Sequence, residues 1–241
     1  VCQVCLDGFT PPAHRCPTCA LPLPPSQPQL PSPPPGTASS TAHTCQPPRL
    51  CTACQHAPPP LHRCVAALDY AYPWNQLIHR FKFKGEVAWA QWLAGLMWQA
   101  PGTAPLLAAT DWWLPIPLSL PRLGERGYNQ SWDLVKALAP LHAPASLKQK
   151  ARADWLLKLA HTSAQHDLNR AARLRNLGTA FAIAPHAVPH LANAHVLLVD
   201  DIMTTGATLH AAAQALRRGG AASVSALVLA RTPAPGEDDS W

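Results

Sequence analysis

The sequence predicts an α/β domain, a buried sheet flanked by helices, preceded by a small zinc-ribbon-like module. Three observations carry this. Strand-like and helix-like segments alternate from Val65 onward. All eight cysteines lie before residue 65, six of them in three CxxC pairs. The segment HVLLVDDIMTTGAT, His195 to Thr208, sets a short apolar strand, two adjacent carboxylates and a Thr-Gly turn directly before a helix-like stretch.

Composition bounds the classes. At 241 residues the chain holds one full domain plus an appendage, and 48% hydrophobic against 13% charged residues excludes a charge-rich disordered protein. The net charge of +6 suits anionic partners such as phosphates, nucleotides or nucleic acid. The longest strongly apolar stretch, Val87 to Trp98, is interrupted by Gln91 and falls short of the roughly 20 residues of a membrane span, so no transmembrane helix is expected. Val1 to Phe9 hold two cysteines and an aspartate instead of a charged start and an apolar run, so these residues do not resemble a signal peptide, and a cytoplasmic location is expected. Without an initiator methionine, the intact product is expected to begin upstream.

The front comes first. Cys2 and Cys5, Cys16 and Cys19, and Cys51 and Cys54 form the CxxC pairs, while Cys45 and Cys64 stand alone. A CxxC turn lets two thiolates face one ion, and two such turns complete a four-sulfur zinc site with no position open for chemistry. A thiol-free remainder and no secretion signal favour metal over disulfides. RCPTCAL, Arg15 to Leu21, looks like the first knuckle of a zinc ribbon and Cys51 to Cys54 like the second, so a structural Zn²⁺ is assigned to Cys16, Cys19, Cys51 and Cys54. The alternative pairing joins Cys2 and Cys5 to Cys16 and Cys19. The proline-rich run from Leu21 to Thr41 lacks backbone donors and reads as an extended or disordered insertion. The expected organisation is a module over 1–64, a domain over 65–232 and a tail over 233–241.

In the domain, Val65 to Tyr72 reads as a strand. Trp74 to Phe83 and Glu86 to Trp98 read as helices on either side of Gly85. Trp112 to Pro117 is a short apolar strand-like run ending in prolines. Asn129 to Leu138 places Trp132, Val135 and Leu138 at helical spacing. Ala180 to Ile183 and Val196 to Val199 are further strands, Thr208 to Arg218 is a helix stopped by Gly219 and Gly220, and Ser223 to Leu229 is the last strand. The tryptophans at 74, 89, 92, 112 and 113 are read as core in preference to nucleic-acid stacking platforms.

Ligands of open α/β sheets bind at the C-terminal ends of the strands. There, backbone donors of Thr204, Thr205, Gly206, Ala207 and Thr208 and the positive end of the next helix can cradle a phosphate, with Gly206 permitting close approach. Asp200 and Asp201 can accept hydrogen bonds from two neighbouring sugar hydroxyls. Together they describe a site for a ribose 5-phosphate.

The same segment resembles the signature by which type I phosphoribosyltransferases bind phosphoribosyl pyrophosphate (PRPP). LPIPLSLPRLGERGYNQS from Leu114 to Ser131, FKFKGE from Phe81 to Glu86 and QHDLNRAARLRNLGTAF from Gln165 to Phe181 narrow the resemblance to the ComF family, which joins cysteine knuckles to a phosphoribosyltransferase domain. The resemblance implies that fold, with a mostly parallel sheet, and a pyrophosphate site at Pro117, Leu118 and Ser119 with Arg122 and Arg126 as charge partners. It implies Mg²⁺ bound with PRPP, pentosyl transfer in which Asp200 and Asp201 serve catalysis, and a role in natural transformation with DNA-uptake proteins as partners. Lys158 to Asn176 is similar to the loop that closes over such sites, with Lys158, His161, Gln165, Arg170, Arg173 and Arg175 as candidate contacts to the leaving pyrophosphate. Asn129 is either a ligand contact or the cap of its helix. His161 and His166 lack a carboxylate or cysteine partner at ligand spacing and read as exposed. The alternative function is a non-catalytic module that senses PRPP or binds single-stranded DNA.

Overall fold

A computed structural model describes Leu6 and residues 8–10, 14–24, 49–142, 149–159 and 180–233. Cys2, Cys5, Cys45, most of the proline-rich run, the candidates from His161 to Arg175 and nearly all of the tail lie outside these residues.

In chain order the elements are α1 (Thr52–His56), β1 (Cys64–Asp69), α2 (Trp74–Phe83), α3 (Trp89–Gln99), α4 (Thr103–Ala108), β2 (Trp112–Pro115), α5 (Leu120–Arg126) and α6 (Gln130–His142). Then follow β3 (Leu156–Lys158), β4 (Phe181–Ile183), α7 (Val188–Leu191), β5 (His195–Met203), α8 (Ala207–Arg218) and β6 (Ser223–Arg231). Four strands form one parallel sheet in the order β1-β6-β5-β2. No helix among the described residues is long and apolar enough to cross a membrane.

Both sheet faces are buried, as a parallel sheet requires, and successive residues alternate between two cores. Val196, Leu198, Val224, Ala226 and Val228 join α8 and the four cysteines 16, 19, 51 and 54 on one face. Leu197, Val199, Leu227 and Leu229 join α2, α3, α4 and α6 on the other. Helix α8 turns Leu209, Ala212, Ala213 and Leu216 inward at three- and four-residue spacing. Burying each leucine is worth about 1.5–3 kcal/mol, which fixes α8, and with it the loop at its start, against the sheet.

Several expected bounds and pairings are corrected. The second helix begins at Trp89, not Glu86. Glu86 closes the preceding turn instead, accepting from Trp89 Nε1 at 2.8 Å and from Arg80 Nε at 3.0 Å. Ala180 to Ile183 does not join the main sheet: β4 pairs antiparallel with β3, Lys158 opposite Phe181, in a separate two-stranded ribbon. Cys64 is the first residue of β1, buried and paired with Ala226. The first strand ends at Asp69, β2 at Pro115, and β5 and β6 run on to Met203 and Arg231.

Candidate functional site

β2 and β5 are neighbours with Pro115 opposite Val199, so the chain leaving each emerges at one sheet edge. From β2 it runs on to α6 over one face, and from β5 it enters α8 over the other. Diverging connections leave a crevice at the strand ends, the usual ligand position of an open α/β sheet. Asp200 and Asp201 lie near the end of β5 with the turn Thr204 to Thr208 after them, and Pro117 to Ser119 follow the end of the neighbouring β2.

Asp200 and Asp201 are buried, at 8% and 2% exposure. Asp200 Oδ1 accepts from Ser131 Oγ at 2.9 Å and from the Asp201 amide at 3.0 Å. Asp201 Oδ1 accepts from the Ile202 amide at 2.8 Å, and its Oδ2 lies 3.0 Å from Lys82 Nζ. Burial, reinforced by the negative charge of Asp201, pushes the Asp200 carboxyl up to about 8 against the lowering effect of its hydrogen bonds and Lys82. Two acids side by side in a dry site repel, which raises the proton affinity of Asp200.

The turn between β5 and α8 leaves Thr204, Thr205, Ala207 and Thr208 exposed and buries Gly206. Thr205 Oγ1 accepts from the Ala207 amide at 3.3 Å. Thr204, Gly206, Ala207 and Thr208, with Asp200 and Leu209, line a small hollow of about 30 Å³. Gly206 has φ +83, and a Cβ there would meet Met203 Cε at 2.6 Å and His210 Nε2 at 2.9 Å. His210 Nε2 is buried without a hydrogen-bond partner among the described residues, and burial together with Arg231 pushes its pKa down. Gly206→Ala is therefore expected to cost about 2–4 kcal/mol, from the left-handed backbone and the overpacking together. Thermal melting should show it as a fall of roughly 5–15 °C, and an unchanged melt would contradict it.

The segment beyond β2 divides. Pro117, Leu118 and Ser119 are half-buried and lead into α5, a short helix with no buried residue. Arg122 is exposed on it. Arg126 donates to Gln130 Oε1 at 3.1 Å and lies over the Phe83 ring at 4.7 Å. Lys82, Phe83, Gly85, Arg122, Glu125, Arg126 and Tyr128 line a cleft of about 510 Å³. Lys158 ends β3 near this edge: burial and Arg122 push its ammonium pKa down, partly offset by Asp200. Asn129 is the cap of α6, its Oδ1 accepting from the Ser131 and Trp132 amides at 3.0 and 3.3 Å. Its amide nitrogen donates to Ile116 O at 3.1 Å, which ties the cap to the segment beyond β2.

Behind the sheet, Cys16, Cys19, Cys51 and Cys54 are all buried, with their sulfurs within 4.8 Å of one another. A tetrahedral zinc with Zn–S bonds of about 2.3 Å needs sulfurs about 3.8 Å apart, and Cys19 and Cys51 lie at 3.6 Å. The donor set and spacing fit a soft divalent ion. Burial pushes Cys16 up, but the amides of Cys51, Thr18 and Cys19 outweigh it and bring the thiol to about 7. Burial, with Cys51 and Cys16 adding to it and the Leu21 amide and Cys54 opposing it, pushes Cys19 up to about 11, and burial with its neighbouring cysteines pushes Cys54 higher still, a penalty that a divalent cation would reverse.

Sequence reasoning missed Lys82, Ser131 and Arg231 as site residues. FKFKGE marked Lys82 only as part of a segment, and Ser131 closed another. Trp74 and Trp113 are buried at 1% and 0%, as the core reading expected, whereas Trp89, Trp92 and Trp112 are only half-buried and pack on neighbouring rings at the edge of the core.

Residues 155–240 match the phosphoribosyl transferase domain family. The chain is 33% identical to the DNA utilization protein YhgH of Salmonella typhi over 239 residues, covering 96% of this chain and 90% of that protein. It is 31% identical to competence protein F of Haemophilus influenzae over 186 residues, covering 75% and 78%. It is 36% identical to competence protein ComFC of Bacillus subtilis over 121 residues, covering 49% and 44%. A relative matched along nearly its whole length, a parallel sheet with an acid pair ahead of a Thr-Gly turn, and a four-cysteine cluster agree: the chain belongs to the ComF family of phosphoribosyltransferase-like proteins.

Proposed function

We propose that this chain binds PRPP across the C-terminal edge of its sheet and transfers the phosphoribosyl group to a nucleophilic acceptor in the course of DNA uptake, in the cytoplasm. The buried acid pair directly before the turn into α8 carries the reading. Asp200 and Asp201 accept from the ribose hydroxyls, and Thr204, Thr205, Gly206, Ala207 and Thr208 hold the 5-phosphate. Pro117, Leu118 and Ser119, with Arg122 and Arg126, face the pyrophosphate. Bidentate arginines suit its oxygens, and Lys82 and Lys158 add positive charge at the same edge.

In the transfer, the bond from the anomeric carbon to pyrophosphate breaks and the electron pair leaves with pyrophosphate. Positive charge develops on the ribosyl centre, the acceptor's lone pair forms the new bond, and the acceptor's proton is released. Positioning and charge stabilisation supply the catalysis, with no covalent enzyme intermediate. Mg²⁺ bound with PRPP would neutralise part of the pyrophosphate charge, and the carboxylates are hard oxygen donors of the kind it takes. Cys16, Cys19, Cys51 and Cys54 hold a structural Zn²⁺ that makes the front, to residue 64, a module supporting the domain from 65 to 232.

The names of the relatives, which refer to DNA utilization and competence, support the pathway. The basic, aromatic-lined cleft beside Lys82 favours a second reading, a non-catalytic module that takes PRPP as a signal or binds single-stranded DNA. Calorimetric titration of PRPP with Mg²⁺ into the zinc-loaded protein tests the first: saturable heat is expected, and its absence from folded protein would sink it. Pyrophosphate release on adding acceptors separates the enzyme from the sensor. Salt-dependent binding of single-stranded DNA without PRPP would favour the DNA-binding module.

A further inference from the structure

The four-cysteine site and the phosphate turn lie on different elements, yet one buried side chain touches both. Arg231, the last residue of β6, is 8% exposed. Its Nε donates to Cys19 O at 3.0 Å, within the first knuckle. Its Nη1 donates to Met203 O at 3.1 Å, to Thr204 O, and to Thr232 O at 2.8 Å. A planar guanidinium offers donors in a fixed fork, so one group holds two backbone segments at a set separation. A lysine, with its single point charge, has no such fork.

The bonds to Met203 O and Thr204 O orient the turn. In a trans peptide the C=O and the N–H point in opposite directions. Drawing these two carbonyls towards Arg231 therefore turns the amides of Thr204 and Thr205 away from it. A second contact runs parallel: Cys64, whose amide donates to Pro17 O at 2.8 Å, places its Sγ 3.7 Å from Met203 Sδ. Charge acts in the same direction. Four thiolates around one divalent ion leave an excess of negative charge, which favours a buried cation alongside; protonated thiols without the ion do not.

We infer that Arg231 is a positioning residue that couples the ion in the cysteine knuckle to the affinity of the turn at Thr204 and Thr205 for a phosphate ester. Loading the knuckle fixes Cys19 O, which fixes Arg231, which holds the turn. The inference rests on the PRPP reading above. Because coupling between two sites is reciprocal, PRPP must tighten the hold on the ion by the same factor by which the ion tightens PRPP.

The test uses the loaded protein. Zinc transfer to a zinc-selective chelator is measured with and without saturating PRPP and Mg²⁺, in the wild type and in Arg231→Lys, with PRPP binding followed separately by calorimetry. In the wild type PRPP is expected to strengthen zinc retention about 5- to 50-fold, within the usual range for coupled sites. In Arg231→Lys, which keeps the charge, the ratio with and without PRPP is expected to fall to near one. A purely structural role would weaken retention equally in both conditions and leave the ratio intact. Equal zinc loss with and without PRPP in a wild type that binds PRPP would overturn the coupling and leave the PRPP reading standing. An unchanged ratio in Arg231→Lys would overturn the role of Arg231. A wild type giving no heat with PRPP would bring down both. If the variant does not fold, the wild-type ratio alone decides whether the sites are coupled.

Discussion

Replacing Asp200 by asparagine is expected to abolish PRPP binding while raising the melting temperature. In the free protein Asp200 sits in a dry site beside the charge of Asp201, and its carboxyl is pushed up to about 8 from an ordinary 3.8. An asparagine Oδ1 can still accept from Ser131 Oγ and the Asp201 amide, so the local bonds survive while the cost of burying an ionisable group beside Asp201 disappears. A gain of about 1–2 kcal/mol is the usual yield of relieving such a functional site, a rise of roughly 2–8 °C for a chain of this size. On the proposed function the variant lacks an ionisable acceptor for the ribose hydroxyls, and the saturable heat with PRPP is expected to vanish with it.

The same shift fixes a pH dependence. A carboxyl whose folded pKa is raised binds a proton in the folded state that the unfolded chain has already given up, so stability falls as pH rises between the two values. The wild type should therefore lose ground to Asp200→Asn as pH climbs from about 4 towards about 8, and the gap should level off above that. Calorimetric melts of both proteins across this range check it. A variant that melts lower, or a gap that narrows with rising pH, would contradict the account.

Cys54→Ser is expected to strip the ion and unseat the front of the chain. Its hydroxyl is a poor replacement for a thiolate towards a soft ion, and three sulfurs leave the site open. The four cysteines belong to the apolar cluster that covers one sheet face, and Arg231 leans on Cys19 O. The loss thus reaches beyond the knuckle. On the order of 5 kcal/mol is at stake, since binding energy at a structural metal site is folding energy. That amounts to a fall of roughly 10–20 °C in the melt, with metal content dropping to near zero. Treating the wild type with a chelator should reproduce the fall and Zn²⁺ should reverse it. A Cys54→Ser protein melting alongside the wild type would show the cluster to be dispensable.

What could be read from sequence follows physical range. The apolar run before Asp200 is long enough to mark a buried strand, and Trp74–Phe83 appears with the bounds its periodicity sets. The three-residue strand Leu156–Lys158 is too short to show a period, so the ribbon that takes Phe181–Ile183 out of the main sheet was hidden. Helix α5 buries nothing and carries a proline in its first turn, so LPRLGER reads as loop. The acid pair and the Thr-Gly turn were legible because they are contiguous. Lys82, Ser131 and Arg231 meet them only through folding, and no local pattern announces such contacts. Arg231 left one trace, a cation closing the apolar strand SVSALVLAR, where a buried partner is needed.

The last strand in chain order is an inner one. β6 separates β1 from β5, and Cys64 finds its sheet partner only at Ala226. A growing polypeptide therefore carries β1 through most of its synthesis without its sheet neighbour, and β5, once made, waits beside the same vacant slot until β6 follows, two strand edges ready to accept any extended segment. Parallel pairing over so long a loop is slow to form. The arrival of Ser223–Arg231 closes that slot and delivers Arg231 to the knuckle and the turn in one event, so a nascent chain halted before β6 has neither a complete sheet nor the clasp between its two sites, and is open to capture by its neighbours.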